Sequence, residues 1–318
     1  MSKTSTQIIV GLGPIATEIV APILGSGFVY VENPAPKDLE VAEGAIVRAA
    51  FEFNKSVFDS MPNLKVIART GVGTELVDLD EADSRNIPVI ITPGSNTNAV
   101  AEGTFAQILH LSKRLGPLTK LVSAGNWNER TNYLVGDLEG QTLGIIGYGR
   151  IGARVAKIAS AFGMKVFASD PYAVIPNELS VESLEYLLAN SDVITLHLPL
   201  TDQTHGLIGE SAFKVMKQGA ILVNCSRGAL INLDEALVAL KSGKLGGLGL
   251  DVFDPEPPKH HEIFSHENVV LTPHVMGLSK QATIATYEMA AQGVRDFLTG
   301  VKPQAIANLK NEKDRSTK

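Results

Sequence analysis

Cysteine is almost missing from this 318-residue chain, which contains only Cys225. A single thiol excludes an intrachain disulfide framework and fits a reducing compartment. No apolar run approaches the ~20 residues that a membrane-spanning helix needs. The opening segment, residues 1–7, is polar and has neither the apolar stretch nor the cleavage site of a secretory signal. We therefore expect a cytoplasmic protein without a membrane span.

Positive charge is also scarce, with 28 Lys and Arg against 34 Asp and Glu and a net charge of −6. No basic block occurs outside the short polar tail at residues 310–318. This balance opposes broad electrostatic attraction to nucleic acid or to anionic lipid. We expect neither of them as a partner.

Short β-branched runs alternate with helical patterns along the chain, which predicts an α/β fold with doubly wound parallel sheets. Strands are expected at 7–10, 45–47, 65–68 and 89–91, and a helix at 98–115. A second series of strands is expected at 143–146, 165–168, 193–197, 220–224, 247–252 and 269–271. A last helix, 279–298, would carry the chain back. We therefore place one domain at 1–98 with 286–318 and a larger one at 99–285.

A glycine-rich turn follows the expected strand 143–146 and precedes a helical pattern, as in the dinucleotide-binding fingerprint. Its residues are Gly147, Tyr148, Gly149, Arg150, Ile151 and Gly152. The first glycine permits the bend, the second lets the backbone approach a pyrophosphate, and the third lets helix pack on strand. Free N–H groups at the start of the helix would hold the anion.

Asp170 ends the next expected strand, 18 residues beyond Gly152. A carboxylate there accepts hydrogen bonds from the ribose hydroxyls of NAD and repels the additional phosphate of NADP. No Arg stands beside it to receive that phosphate. The motif therefore predicts NAD as the cofactor.

A rival glycine turn, residues 11–16, follows the first expected strand, and Glu32 ends the run 28–31. Its Pro14 removes an N–H donor at the point where a pyrophosphate would need one. We interpret this segment as an ordinary turn between a strand and a helix.

Three later segments, 224–228, 251–257 and 272–274, lie at the ends of expected parallel strands, where open α/β sheets bind ligands. Hydride addition to a 2-oxo acid turns its carbonyl oxygen into an alkoxide. The reaction needs a proton donor, a cation for the carboxylate and a fixed nicotinamide. Arg227, Glu256 and His274 are residues of suitable types in these segments.

With these ordered motifs the chain resembles the D-2-hydroxyacid dehydrogenase family, which includes phosphoglycerate dehydrogenase, over nearly its whole length. The resemblance implies that Arg227 binds the substrate carboxylate and that His274, paired with Glu256, is the acid and base. It further implies an NAD-binding Rossmann domain inserted into a smaller flavodoxin-like substrate-binding domain. A homodimer is implied by the resemblance alone.

The same resemblance assigns further contacts. The cofactor would be bound, besides the glycine turn and Asp170, by Thr104, Pro171, His197, Leu198, Pro199, Thr204, Cys225, Ser226, Asp251 and Gly277. The substrate would be bound by Arg48, Gly71, Val72, Gly73 and Asn96. This chain departs from the family pattern at Ala49, Glu75, Leu76 and Met276. These departures lie near the expected pocket and leave the substrate open among phosphoglycerate, hydroxypyruvate or glyoxylate, and D-lactate types.

Alternatives to an NAD-dependent enzyme of 2-hydroxy or 2-oxo acids remain. His260, His261 and His266 match no standard zinc spacing, so no metal is expected. A regulatory protein could keep the same NAD pocket and use its occupancy to control a partner. Arg227, Glu256 and His274 favour the enzyme over such a sensor.

Overall fold

The computed structural model describes residues 6–308. The polar tail and most of the opening segment lie outside the described residues. The chain divides into two compact units, residues 1–96 with 280–318 and residues 97–279. The expected boundary after 98 differs because the helix Thr97–Ser112 belongs in its entirety to the second unit. The expected boundary after 285 differs because the last helix, Lys280–Leu298, belongs in its entirety to the first unit.

The first unit contains a five-stranded parallel sheet. Its strands are β1 (Gln7–Leu12), β2 (Phe28–Glu32), β3 (Gly44–Arg48), β4 (Val66–Thr70) and β5 (Val89–Ile90). They lie in the order β2-β1-β3-β4-β5, with all neighbours parallel, which is the flavodoxin-like order. Its helices are α1 (Thr17–Leu24), α2 (Pro36–Val41), α3 (Lys55–Asp59), α4 (Leu79–Ser84) and α11 (Lys280–Leu298).

Helices cover both faces of this sheet, so its central strands are apolar on both sides. On one face Ile9 and Ile46 pack with residues of α1 and α11, including Val294. On the other face Val10 and Val47 belong to a second buried cluster. The predicted small α/β domain is therefore present, and it includes β2, which was not among the predicted strands.

The second unit contains a six-stranded sheet in the order β11-β10-β9-β8-β6-β7. Its strands are β6 (Thr142–Ile146), β7 (Lys165–Ser169), β8 (Val193–Leu196), β9 (Ala220–Asn224), β10 (Leu245–Leu250) and β11 (Val269–Leu271). A single parallel bridge joins Ala168 to Ser180, where a dinucleotide-binding sheet has its third strand. The strand order reverses at β6, which makes its carboxyl end the topological switch point.

Helices of the second unit are α5 (Thr97–Ser112), α6 (Leu115–Ser123), α7 (Arg150–Ala161), α8 (Leu184–Asn190), α9 (Glu210–Val215) and α10 (Leu233–Lys241). Short 3-10 turns occur at Trp127–Asn132, Gly228–Leu230 and Glu262–Ser265. The predicted continuous helix 98–115 was wrong at its end, because Arg114 adopts a left-handed conformation, φ 50°. Within residues 6–308, no helix combines the length and the apolar character needed to cross a bilayer.

Candidate active site

The glycine turn of the second unit lies between β6 and α7, at the switch point of the sheet. Gly147 has φ 93°, and a Cβ there would overlap the carbonyl of His197. A Cβ on Gly152 would overlap the carbonyl oxygen of Gly147. These two glycines therefore let the turn bend against β8 and let α7 begin close to β6.

Gly149 caps α7 and differs from its two neighbours, because a Cβ there would meet nothing within 4 Å. Its missing side chain thus leaves open space beside the first N–H groups of a 12-residue helix. Such N–H groups, together with the helix dipole, favour an anion. The turn fits the pyrophosphate of NAD, which the residues 147–152 would hold.

Asp170 follows β7, and its carboxylate is bonded to the glycine turn. Its Oδ2 accepts the Tyr148 N–H at 2.8 Å, and its Oδ1 accepts the N–H groups of Tyr172 at 2.8 Å and Ala173 at 3.0 Å. A carboxylate has about four acceptor positions, so capacity remains for a ribose hydroxyl. The structure thus holds a fixed negative charge at the place where it would favour NAD over NADP.

The segment after β8 lies against the same turn. The His197 N–H donates to the Ile146 carbonyl at 2.8 Å, and the Thr204 hydroxyl donates to the Pro199 carbonyl at 2.8 Å. The Ser226 hydroxyl donates to the carbonyl of Leu198. These bonds connect this segment, whose residues are predicted to bind the cofactor, to the strand ends around it.

Both ring nitrogens of His197 are buried and have no hydrogen-bond partner among the described residues. Burial lowers the pKa of His197 to about 3, because the charged imidazolium would lose its hydration. His197 is therefore neutral at physiological pH and adds no charge to the cofactor site.

The carboxyl ends of β9, β10 and β11 lie side by side in the sheet. Asn224 of β9 is in register with Leu250 of β10, which is in register with Leu271 of β11. Arg227 follows β9 by three residues, and His274 follows β11 by three residues. The parallel strands therefore bring the predicted carboxylate-binding and proton-transferring residues to one edge of the sheet.

Local hydrogen bonds shape the segment of Arg227. The Asn224 side chain, fully buried, donates to the Arg227 carbonyl at 2.7 Å and accepts the Ser226 N–H at 2.9 Å. The Arg227 NH1 group donates to the Ser226 carbonyl at 2.8 Å. A Cβ on Gly228 would overlap the backbone of Phe253, so this glycine lets the loops after β9 and β10 pack together.

His274 pairs with Glu256, with 2.7 Å between Nδ1 and Oε2. The other oxygen of Glu256 accepts the Phe253 N–H at 2.9 Å, which fixes the carboxylate to its own loop. The His274 side chain is 53% exposed, so a ligand can reach it. With Nδ1 bonded to Glu256, Nε2 is the atom available to exchange a proton with a ligand.

His274 has φ 53°, in the left-handed region that costs most residues about 1 kcal/mol or more. The turn is held there by Asp251, which is only 2% exposed. Its backbone carbonyl accepts the His274 N–H at 2.7 Å. Its carboxylate accepts the N–H groups of Val275 at 2.9 Å and Met276 at 3.1 Å. Strain of this kind persists only where surrounding contacts maintain it, and it is common at functional sites.

The rival turn in the first unit is closed. A Cβ on Gly11 would overlap the hydroxyl of Tyr30, and that hydroxyl donates to the Ile15 carbonyl at 3.0 Å. The Tyr287 hydroxyl donates to the Pro14 carbonyl at 3.0 Å. Glu32 accepts the Thr17 N–H at 3.1 Å, at the start of α1. The backbone of this turn is therefore already contacted by side chains of the same unit, from Gly11 to Thr17.

The remaining residues predicted to bind substrate belong to the first unit. Arg48 ends β3 and donates a hydrogen bond from NH1 to the Tyr287 hydroxyl. Val72, in the loop after β4, has an exposed side chain, and Asn96 is half-buried before α5. The loop 71–73 is tied back through the Gly71 carbonyl, which accepts the Thr92 N–H at 3.0 Å.

Other predicted cofactor contacts occupy varied environments. Thr104 is buried on α5 and donates to the Val100 carbonyl at 2.9 Å, whereas Pro171 is exposed beside Asp170. Gly277 follows Met276 in the turn after β11 and is half-buried.

The histidines considered for a metal have other partners, since His261 and His266 accept hydrogen bonds from nearby backbone N–H groups. Among residues 6–308, no cluster of three or more His, Cys, Asp or Glu has a metal-binding arrangement.

Sequence reasoning missed three residues that support the His274 turn: Gln107, Thr272 and Gly103. Thr272 lies two residues before His274, and its hydroxyl donates to Asp251 at 2.6 Å. A Cβ on Gly103 of α5 would overlap the side chain of Met276. The polar Gln107, which interrupts the apolar run of Phe105 and Ile108, was the signal available in the sequence.

Known proteins share this architecture. The family model of the D-isomer specific 2-hydroxyacid dehydrogenase, NAD binding domain, matches residues 105–276. The D-3-phosphoglycerate dehydrogenase of Bacillus subtilis is 34% identical over 296 residues, which are 91% of this chain and 56% of that protein. The glyoxylate reductase of Thermococcus litoralis is 38% identical over 265 residues, 80% of each protein. This chain thus spans little more than half the length of the first relative.

A solved structure shows the same fold. The D-lactate dehydrogenase from Aquifex aeolicus, complexed with NAD and lactic acid, has a TM-score of 0.78 and 31% sequence identity, over 92% of this chain and 96% of that one. The present chain belongs to the D-isomer specific 2-hydroxyacid dehydrogenase family. The predicted family, fold class, NAD cofactor and enzyme class, an NAD-dependent dehydrogenase of D-2-hydroxy acids, are confirmed.

Cys225 follows β9 and has a protected thiol. Burial, opposed by a hydrogen bond with Thr104 and assisted by the charge of Asp251, raises its pKa to about 12. Since only the thiolate reacts, we expect disulfide reagents to modify the folded protein at pH 8 about a thousand-fold more slowly than the urea-unfolded chain. The rate should still increase with pH up to pH 10. A plateau below pH 9 would contradict the raised pKa.

Proposed function

We propose that this protein reduces a small 2-oxo acid with NADH, or oxidises the matching D-2-hydroxy acid with NAD, in the manner its family implies. The observation that carries this proposal is the His274–Glu256 pair at 2.7 Å on a backbone turn held by Asp251. It lies at the same sheet edge as Arg227, in the unit that contains the dinucleotide turn.

Each side chain has a defined task in this proposal. Arg227 binds the substrate carboxylate and polarises the C2 carbonyl, for which its planar guanidinium suits two parallel hydrogen bonds. His274, as imidazolium, gives its Nε2 proton to the carbonyl oxygen, and the reverse transfer serves oxidation. Glu256 stabilises the imidazolium through Nδ1. NADH, when bound, supplies the hydride that completes the reduction at C2.

The N–H groups of the loop 71–73 and the side chains of Arg48 and Asn96 complete the proposed substrate contacts. Asp251, Cys225 and Gly277 complete those to the nicotinamide. The substrate is proposed to be glyoxylate, which the name of the glyoxylate reductase relative contains, or hydroxypyruvate. Arg48 favours a second candidate, phosphohydroxypyruvate, because it adds a cation at the end of β3 that could receive a phosphate.

The direct test is NADH oxidation with a panel of 2-oxo acids that includes glyoxylate, hydroxypyruvate, pyruvate and phosphohydroxypyruvate. The proposal expects at least one of them to be reduced to the D-hydroxy acid, and kcat/KM ranks the substrates. Tight NADH binding without reduction of any of them would instead support the NAD-sensing alternative.

The glycine turn offers a second test that needs no substrate. We expect Gly149→Ala to weaken NADH binding about tenfold or more, because the new methyl group stands where the pyrophosphate approaches. Its thermal unfolding without NADH should be unchanged, since the methyl meets no protein atom within 4 Å. Gly27→Ala, which is equally unobstructed, is the matched control. Equal NADH affinity in both variants would place the cofactor elsewhere.

We also propose a cytoplasmic homodimer, as the family resemblance implied. The free thiol of Cys225 suits a reducing compartment. Exposed apolar side chains around α6 and the following 3-10 turn, including Val122, Trp127 and Leu134, supply a surface that a second copy would cover. Sedimentation equilibrium would test this, and a monomer at micromolar concentration would exclude a stable dimer.

A further inference from the structure

Helix α5 carries a polar side chain, Gln107, that is only 1% exposed. Its Nε2 donates to the Thr272 hydroxyl at 3.1 Å, and its Oε1 accepts from the Cys225 thiol at 3.9 Å. A Cβ on Gly249 would overlap this amide, so β10 has space for it only because a glycine stands there. Since a buried amide is costly unless its polar atoms are bonded, Gln107 needs both partners.

The Thr272 hydroxyl continues the connection. It has one proton, which it donates to Asp251 Oδ1 at 2.6 Å. The Gln107 amide donates to the hydroxyl oxygen, and that bond leaves the proton directed at Asp251. Were the amide reversed, its oxygen would compete for this proton, and Asp251 would lose a donor.

Cys225 lies at the other end of the amide, where its thiol contacts Oε1 at 3.9 Å and also bonds to Thr104. Burial raises the pKa of this thiol to about 12, so it stays protonated and acts as a donor. A donor beside Oε1 keeps the NH2 end of Gln107 towards Thr272. The hydrogen bonds therefore run in one direction, from Cys225 through Gln107 and Thr272 to Asp251.

Asp251 passes this restraint to the turn of His274. Its carboxylate accepts the N–H groups of Val275 and Met276, at 2.9 and 3.1 Å, while His274 is kept at φ 53°. Helix α5 also restrains this turn by direct packing, because Met276 lies against Gly103 with no space for a Cβ between them.

We propose that Gln107 is a positioning residue that orients His274 for proton transfer, acting through Thr272 and Asp251 and without contact to substrate. The consequence for catalysis rests on the proposed function, because it requires His274 to be the proton donor. The restraint on the turn does not depend on that role and is measurable by itself.

Hydrogen–deuterium exchange tests the restraint in the absence of substrate. In Gln107→Met and Thr272→Val we expect the amides of Val275 and Met276 to exchange about tenfold faster, while β8 is unaffected. Ser112→Ala is the matched control, since Ser112 is a buried polar residue of the same helix whose hydroxyl donates to the Gly136 carbonyl, away from the His274 turn. Unchanged exchange in the turn, or an equal increase in all strands, would overturn the proposal.

Kinetics test the catalytic consequence on the best 2-oxo acid. We expect kcat of Gln107→Met and Thr272→Val to fall about tenfold, with the dissociation constant of NADH within about twofold of the parent value. Thr272→Ser retains the hydroxyl and should have the kcat of the parent protein.

The outcomes separate the two proposals. If the parent protein reduces no 2-oxo acid, the proposed function fails, and the exchange experiment still shows whether Gln107 restrains the His274 turn. If it is active and both variants match Ser112→Ala, the positioning role is wrong. Thr272→Val tests the same connection should Gln107→Met not fold.

Discussion

Replacing His274 should lower kcat for reduction of the best 2-oxo acid by about a thousand-fold, within the range known for loss of a general acid. The physical reason is that the alkoxide forming at C2 then lacks a positioned proton, whereas NADH binding does not involve this side chain. Steady-state kinetics and NADH titration of the same preparations would measure both quantities.

The choice of variant matters, because His274 has φ 53°. Alanine would be strained in this conformation, whereas asparagine tolerates it and cannot act as a proton donor of comparable strength. His274→Asn is therefore the cleaner variant, with His260→Ala, an exposed histidine of the same unit, as the control. A His274→Asn enzyme that kept the parent rate would exclude the proposed proton donor. Glu256→Gln should give a smaller loss, because it preserves a hydrogen bond and removes only the charge.

Arg227→Lys is the second change with a large expected effect. We expect kcat/KM for the 2-oxo acid to fall by about a hundred- to a thousand-fold, because an ammonium group cannot make the two parallel bonds of a guanidinium. That factor corresponds to roughly 3–4 kcal/mol of lost transition-state stabilisation. NADH affinity should remain close to that of the parent protein.

The matched control is Arg154→Lys, which makes the same substitution on the exposed side of α7. Binding of oxamate to the NADH complex separates the two tasks assigned to Arg227. If Arg227→Lys lowers both the affinity for oxamate and kcat/KM, Arg227 binds the substrate carboxylate. Unchanged kcat/KM in Arg227→Lys would show that the guanidinium is not part of the substrate site.

Much of the second unit could be predicted from local pattern. The strand, glycine turn and helix at 142–161 are consecutive in sequence, and only the contact of Gly147 with the His197 carbonyl reaches outside that segment. The grouping of Arg227, Glu256 and His274 could also be predicted, since successive parallel strands end at one sheet edge. Their register, Asn224 to Leu250 to Leu271, provides the structural basis for that expectation.

Other features could not be predicted from local pattern. Spacing alone did not show that the turn at Gly11 is closed, because Tyr30 and Tyr287 reach it from distant parts of the chain. The early end of α5 depends on the left-handed backbone of Arg114, a conformation that arginine rarely adopts, although Gly116 and Pro117 follow it closely in the sequence. The boundary at residue 280 follows from the packing of α11 on the first sheet.

By itself, the sequence determined the fold class, the dinucleotide turn with its acidic partner, and the types of side chain at the strand ends. These features depend on short-range periodicity and on backbone positions that accept few residue types, such as the glycines of the turn. Only the tertiary structure decided how His274 is held. Asp251, Thr272 and Gln107 come from three separate elements, and their hydrogen bonds exist only after β9, β10, β11 and α5 have packed together.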